Sequence, residues 1–68
     1  MPIRPDLSDR SILVTGAGRG LGKAMAEKLA SCGATVAVVD IDAAACERVA
    51  EGIRSSGGRA LPFPADVA

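Results

Sequence analysis

The stretch Thr15–Gly22, TGAGRGLG, constrains the fold of this chain most, because every second residue after its threonine is glycine. Glycine in an ordered element costs about 0.5–1 kcal/mol relative to alanine, so such a cluster needs a structural reason. A flexible linker would be one reason, and polar, low-complexity sequence would then flank it. The flanks here are apolar and periodic, which favours a glycine turn inside a folded domain.

The segments on either side of the glycines are predicted to be a strand and a helix. Ser11–Thr15 is a short apolar run typical of a buried strand. Beyond the glycines, apolar residues recur at helical spacing as Leu21, Met25, Leu29 and Cys32. A turn from a strand into a helix attracts anions, because the first helical N–H groups and the positive end of the helix dipole face the ligand. Glycines there leave the backbone open to a phosphate and permit positive φ angles.

Two common phosphate loops do not fit the spacing. A Walker A loop requires Gly-x-x-x-x-Gly-Lys-Ser/Thr. The only Gly-Lys pair is Gly22-Lys23, and the motif's first glycine, five residues earlier, is replaced by Ala17. The residue after Lys23 is Ala24, which lacks the hydroxyl that holds magnesium. The dinucleotide fingerprint Gly-x-Gly-x-x-Gly/Ala requires a small residue at its last position. Here that position is occupied by Leu21 if the pattern starts at Gly16, or by Lys23 if it starts at Gly18. The pattern that does fit is Thr-Gly-x-x-x-Gly-x-Gly.

A second apolar run ends in a carboxylate. Thr35–Val39 is apolar at nearly every position, as expected of a parallel strand covered on both faces, and Gly33 before it is the predicted C-cap of the first helix. Asp40 follows, about 20 residues past the glycines, where a dinucleotide fold presents an acid to the adenosine ribose. Asp40 could instead cap the next helix, but Asp42 stands directly before Ala43 and fits that role better.

The last segment is predicted to be an edge strand. Gly57 and Gly58 end a second helix. The inward stripe of that helix is predicted to be Cys46, Val49, Ala50 and Ile53. The strand Arg59–Ala65 contains Pro62 and Pro64, whose missing N–H groups point the same way, so only an edge strand with that side outward accommodates both. Right-handed crossovers then place both helices on one face of a parallel sheet and leave the opposite, apolar face bare.

Together these features resemble the classical branch of the short-chain dehydrogenase/reductase (SDR) family, whose nucleotide loop has the pattern formed here by Thr15, Gly16, Gly20 and Gly22. The resemblance covers residues 7–68 and implies an α/β fold: a Rossmann-type β-α-β-α-β segment, the first three strands of a doubly wound parallel sheet. We expect residues 1–6 to be a loose arm. We expect residues 7–68 to be the N-terminal part of an NAD(P)-binding domain, truncated after its third strand.

The resemblance also implies which residues bind the dinucleotide. They are Thr15, Gly16, Gly18, Arg19, Gly20, Leu21, Gly22, Asp40, Ile41, Asp66 and Val67. Gly16 and Gly20 would form the turn and admit the pyrophosphate, and Gly22 would allow close helix packing. Asp66-Val67 resembles the family's pair at the adenine ring, although an aspartate there also suits an ordinary turn.

Two residues predict opposite cofactor preferences. Asp40 favours NAD, because the 2′-phosphate of NADP would face its carboxylate. Arg19 stands directly before Gly20, where NADP-using relatives often carry a basic residue for that phosphate, so NADP also remains a candidate. The arginine can instead turn into solvent or pair with Asp40. We expect NAD to be preferred.

For the parent protein, the resemblance implies interconversion of a small-molecule alcohol and a ketone by hydride transfer, and a homo-oligomer. The family's catalytic Ser and Tyr-x-x-x-Lys lie further along its sequence, and this chain contains no tyrosine, so no catalytic residue is predicted here. The alternative is a non-catalytic nucleotide-binding module or an inert truncation product.

Composition excludes several other functions. Acidic and basic residues balance at 8 each, which gives no reason to expect nucleic acid or an anionic membrane as partner. No apolar stretch reaches the ~18–20 residues of a membrane helix, and the first residues lack the core of a signal peptide. The 2 cysteines have no metal-binding spacing and histidine is absent, so no metal is predicted. A cytoplasmic location is expected.

Overall fold

A computed structural model describes residues 9–66 as an alternation of strands and helices. The elements are β1 (Ser11–Thr15), α1 (Gly20–Ser31), β2 (Thr35–Asp40), α2 (Ala43–Ser55) and β3 (Arg59–Pro64). The three strands form one parallel sheet in the order β1-β2-β3. The predicted β-α-β-α-β segment is therefore confirmed. The expected loose arm at residues 1–6 lies outside the described residues.

The core lies between the sheet and the two helices. Val36 and Val38 of β2 are fully buried, and Val14 and Ala60 extend the same face onto the neighbouring strands. On α2, the predicted stripe of Cys46, Val49, Ala50 and Ile53 is buried against this face. Residues of both helices belong to this one cluster, so both helices cover the same face of the sheet, as the crossover rule requires.

The face with which α1 packs differs from the predicted apolar stripe. Leu21 is 79% exposed and Met25 is exposed as well, while Ala26 and Ala30 are buried in the core. Small side chains on the inner face let the helix approach the sheet and α2 closely, so the larger residues point elsewhere. Of the predicted stripe, only Cys32 is buried and Leu29 partly so.

The edge position predicted for β3 is confirmed. The Ala65 N–H donates to the Asp40 carbonyl at 2.9 Å, so alternate N–H groups counted back from Ala65 point towards β2. Pro62 and Pro64 fall between them, and their missing donors lie on the outer side of the strand. The strand ends at Pro64, one residue before the predicted end.

The other face of the sheet is apolar and largely uncovered within residues 9–66. Leu13, Leu61 and Phe63 lie on it and are exposed on the outer strands. Val39, aligned between Thr15 and Phe63, is buried. This face carries apolar surface that a stable domain normally covers.

The uncovered face predicts how residues 1–68 behave in isolation. We expect them to self-associate and to bind the dye ANS at neutral pH, because contact between two such faces removes apolar surface from water. Sedimentation velocity and ANS fluorescence measure this. The double change Leu61→Thr and Phe63→Thr should reduce both signals, whereas Met25→Gln, which removes an exposed side chain from α1, should leave them largely unchanged. A monodisperse monomer with a sharp thermal transition would contradict the prediction.

Candidate functional site

The chain turns from β1 into α1 through residues that need glycine for their backbone angles. Gly16 has φ of 63° and Gly20 has φ of 58°, in the left-handed region that other residues rarely adopt. A Cβ atom at either position would have no neighbour within 4 Å, so crowding is not the reason for glycine. Both residues are exposed. The turn therefore presents open backbone to whatever lies outside it.

The other two glycines of the loop are required by close contacts. A Cβ atom on Gly22 would lie 2.2 Å from the Gly16 carbonyl oxygen, because the first turn of α1 packs directly on the loop. A Cβ atom on Gly18 would lie 2.7 Å from the Ala45 Cβ and 2.8 Å from the Asp40 Oδ2. Gly18 is buried, so it brings the loop against β2 and α2.

Asp40 is the buried carboxylate that joins these elements. Its Oδ2 accepts the Gly18 N–H and its Oδ1 accepts the Asp42 N–H, each at 3.0 Å, and the residue is only 9% exposed. Its backbone carbonyl accepts the Ala65 N–H and, at 3.5 Å, the Cys46 thiol. The glycine loop, the start of α2 and the end of β3 are thus all tied to the last residue of β2.

These contacts also fix the charge of Asp40. Hydrogen bonds from the Asp42 and Gly18 N–H groups hold the pKa of the Asp40 carboxyl below its usual value of 3.8. Burial opposes this shift, and the charge of Arg19 adds to it. Asp40 is therefore ionised at neutral pH. Each carboxylate oxygen has capacity for a further hydrogen bond beyond the one it accepts from the backbone.

The two helices begin differently. At α2, Asp42 is the N-cap, as predicted, and its Oδ1 accepts the Ala45 N–H at 3.1 Å. At α1, the N-cap position is held by Arg19, which makes no side-chain cap hydrogen bond, and the first turn contains no acidic residue. The first N–H groups of a helix need acceptors. The first N–H groups of α1 therefore have no side-chain cap, whereas the start of α2 is capped by Asp42.

Arg19 pairs with Asp42, whereas the sequence suggested Asp40 as its partner. Its Nη2 lies 3.9 Å from the Asp42 Oδ2, and no ion pair with Asp40 is formed within the described residues. The two side chains are 77% and 42% exposed. Asp40 is buried, with its oxygens turned towards the Gly18 and Asp42 N–H groups, whereas the Asp42 side chain is partly exposed beside Arg19.

The remaining predicted contacts lie at the carboxyl end of the sheet, where the three parallel strands end. Thr15 ends β1, Ile41 follows β2 and Asp66 comes shortly after β3; all three are exposed. Val67 lies outside the described residues. The carboxyl ends of parallel strands lie next to each other. The structure therefore brings the loop, Asp40 and these residues together at that end of the sheet.

Sequence reasoning missed the α2 side of the site. Ala45 lies against Gly18, and Arg48 lines, with Arg19 and Lys23, a groove of about 350 Å³ between the loop and the helices. Asp42 as N-cap places Ala45 three residues into the helix, and its small side chain was an available signal. Nothing local in the sequence indicated that Arg48 would approach the loop.

Other kinds of site are not indicated by the described part of the chain. Residues 9–66 contain no group of three or more acidic, cysteine or histidine side chains placed to hold a metal ion. Cys32 and Cys46 are buried free thiols. Neither α1 nor α2 is long and apolar enough to cross a bilayer.

Alanine substitutions at two helical glycines separate close packing from helix propensity. We expect Gly22→Ala to destabilise the protein by about 1–3 kcal/mol, because its Cβ meets a backbone oxygen that cannot move alone. Gly52→Ala is the matched control: a Cβ there has no neighbour within 4 Å, and we expect stabilisation by about 0.5–1 kcal/mol. Urea unfolding measures both. Equal effects of the two changes would show that α1 does not pack on the loop.

The pH dependence of stability tests the contacts of Asp40. A folded-state pKa below the unfolded one means that the ionised carboxylate stabilises the fold above the unfolded pKa, and that this stabilisation is lost as pH falls through the folded-state pKa. We therefore expect the free energy of unfolding of the wild type, minus that of Asp40→Asn, to be constant near neutral pH and to shrink in acid. Urea unfolding across the acidic range measures it. A difference that grows in acid would mean that the carboxylate is not stabilised by these N–H groups.

Known proteins are similar to this chain in sequence and in fold. The family model of the short chain dehydrogenases matches residues 10–68. A 2,5-dichloro-2,5-cyclohexadiene-1,4-diol dehydrogenase from Sphingobium indicum is 48% identical over 63 residues, which are 93% of this chain and 24% of that protein.

Solved structures agree with this match. A structure from Haemophilus influenza with bound NAD, described as a candidate D-mannonate oxidoreductase, superposes with a TM-score of 0.89 at 35% identity, over 93% of this chain and 22% of that one. A metagenomic short-chain oxidoreductase in complex with NADP gives a TM-score of 0.88 at 39% identity, over 91% of this chain and 28% of that one.

The chain spans about a quarter of the length of the relatives it matches, and within that quarter the match is nearly continuous. The glycine turn, the parallel sheet and the carboxylate at the end of β2 all fall inside the matched region. The chain belongs to the short-chain dehydrogenase/reductase family.

Proposed function

We propose that the complete protein containing this chain is an NAD(P)-dependent oxidoreductase that interconverts an alcohol and a ketone, and that residues 7–68 are the N-terminal part of its dinucleotide-binding domain. One observation carries the proposal. An exposed glycine turn leads into a helix without a side-chain cap, directly beside an ionised carboxylate that the backbone holds in place. Those features suit a ligand with a diphosphate next to a ribose.

The glycine turn fits the pyrophosphate. The space outside Gly16 and Gly20 is open, so phosphate oxygens can approach the backbone without meeting a side chain. The first N–H groups of α1, including that of Leu21, supply donors, and the helix dipole favours the negative charge. Gly22 contributes indirectly, because its contact with Gly16 fixes the angle between the turn and the helix.

Asp40 fits the adenosine ribose and favours NAD. Its carboxylate is ionised and oriented, and it can accept hydrogen bonds from the 2′- and 3′-hydroxyl groups. A 2′-phosphate in the same place would bring like charges together, which costs several kcal/mol. Ile41 offers no cation to offset that repulsion. Arg19 can offset part of it, so NADP remains a weaker ligand.

The division of labour follows from these contacts. A nicotinamide dinucleotide supplies the hydride chemistry when bound, and the residues of this chain bind and orient it. Thr15 is the last residue of β1 and is not proposed as a reacting hydroxyl. Two structural neighbours support a nicotinamide cofactor, since one holds bound NAD and the other NADP, and the similar diol dehydrogenase supports an alcohol substrate. The adenine contacts of Asp66 and Val67, the homo-oligomeric state and the cytoplasmic location stay predictions.

Activity is tested on the complete protein with NAD and a panel of secondary alcohols, including cyclic diols. We expect formation of NADH with at least one alcohol of the panel. Binding of NAD without turnover of any alcohol or of the matching ketones would instead favour a nucleotide-binding module without chemistry.

Cofactor choice is tested by equilibrium affinity, which needs no knowledge of the substrate. We expect NAD to bind more tightly than NADP by on the order of tenfold to a thousandfold, from the repulsion at Asp40. Asp40→Ser should shrink or invert this ratio, and Arg19→Ala should weaken NADP binding most. Calorimetric titration of each variant gives the affinities. Asp9→Ser is the control. Asp9 is exposed and lies before the first residue of β1, whereas the glycine loop follows the last, so this substitution should change neither affinity. Preference of the unmodified protein for NADP would show that Arg19 outweighs the carboxylate.

A further inference from the structure

Asp42 contacts two groups with its two carboxylate oxygens. Oδ1 accepts the Ala45 N–H at 3.1 Å and caps α2, while Oδ2 lies 3.9 Å from the Arg19 Nη2. The cap fixes the side chain of Asp42, so the oxygen that faces Arg19 is held in position by α2. Asp42 therefore offers a fixed negative charge to an exposed cation on the glycine loop.

Arg19 has few other partners within reach. It occupies the N-cap position of α1 in an extended conformation, with φ of −160°, directly before the positive-φ Gly20. Asp40 is near enough for the charge of Arg19 to affect it, but the two form no ion pair within the described residues. Within residues 9–66, the Arg19 guanidinium pairs only with Asp42.

We propose that Asp42 is a specificity-determining residue that acts through Arg19, drawing the guanidinium away from the 2′-phosphate of NADP. The inference rests on the nucleotide-binding function proposed above. A 2′-phosphate and the Asp42 carboxylate compete for one guanidinium, so NADP must displace Asp42 before it gains the contact. NAD has no 2′-phosphate and does not need Arg19. The preference for NAD then has two sources: repulsion at Asp40 and occupation of Arg19 by Asp42.

The two roles of Asp42 can be separated by one substitution. Asparagine caps helices as well as aspartate does, so Asp42→Asn keeps the acceptor for the Ala45 N–H and removes the charge that holds Arg19. Glu47→Gln is the matched control, because it removes the same charge from an exposed position of α2 that forms no ion pair within the described residues. Thermal unfolding of each variant shows whether α2 remains intact.

The experiment measures the affinities of the complete protein for NAD and NADP by calorimetry, in the wild type, Asp42→Asn, Arg19→Ala and the double variant. We expect Asp42→Asn to raise the affinity for NADP relative to NAD by about two- to fivefold, the size typical of a partly exposed ion pair. NAD affinity should stay unchanged, because NAD has no 2′-phosphate and does not need Arg19. The gain should disappear in the Arg19→Ala background, and it should shrink at high salt because the pair is exposed.

Three results would overturn this inference, and only the last of them would also overturn the proposed function. An equal gain for NADP in the Arg19→Ala background would show that Asp42 repels the phosphate directly. No gain for NADP in Asp42→Asn, with NAD bound as before, would show that the pair does not restrain Arg19; both results leave the proposed function intact. A wild-type protein that binds neither nucleotide would overturn the proposed function and this inference together.

Discussion

The hydrogen bond from the Gly18 N–H to the Asp40 carboxylate is the contact on which the rest of this site depends. It joins residues 22 positions apart in the chain and holds the glycine loop against the end of β2. The same carboxylate accepts the Asp42 N–H and so sets the start of α2, while the carbonyl of Asp40 receives the chain after β3. This one residue, through its side chain and its backbone carbonyl, thereby fixes the relative positions of three loops at the carboxyl end of the sheet. Its burial makes these bonds strong, because an unpaired charge in that position would be costly.

The loop is built from backbone groups rather than side chains. Two of its glycines adopt angles that an alanine would resist, and the other two lie where a methyl group has no room. Nearby elements also use small residues: Ala45 meets Gly18, and Ala26 and Ala30 bring α1 close to the sheet. The entropy cost of the glycines is offset by contacts that only a bare backbone allows. Such a surface recognises a charged, featureless group such as a phosphate better than a group with a distinctive shape.

Much of the fold could be predicted from the sequence, because local patterns determine it. The apolar run of β2, the stripe of α2 and the prolines of β3 each indicated an element and its environment, and the structure confirms all three. The inner face of α1 could not be predicted in the same way. Helical spacing identifies which residues share a face, but not which face meets the sheet, and small alanines rather than large apolar residues pack there. The pairing of Arg19 with Asp42 could not be predicted either, because it depends on how the tertiary fold places the starts of α1 and α2 beside each other.

The two prolines of β3 determine at which edge a further strand can join this sheet. A further strand beside β3 would need donors on the outer side, and Pro62 and Pro64 remove two of them, so that edge resists pairing with any other chain. The free edge of β1 carries no such block, and within residues 9–66 no strand pairs with it. A strand that joins this sheet therefore meets one protected edge and one open edge. Such a strand is thereby directed to the side of β1.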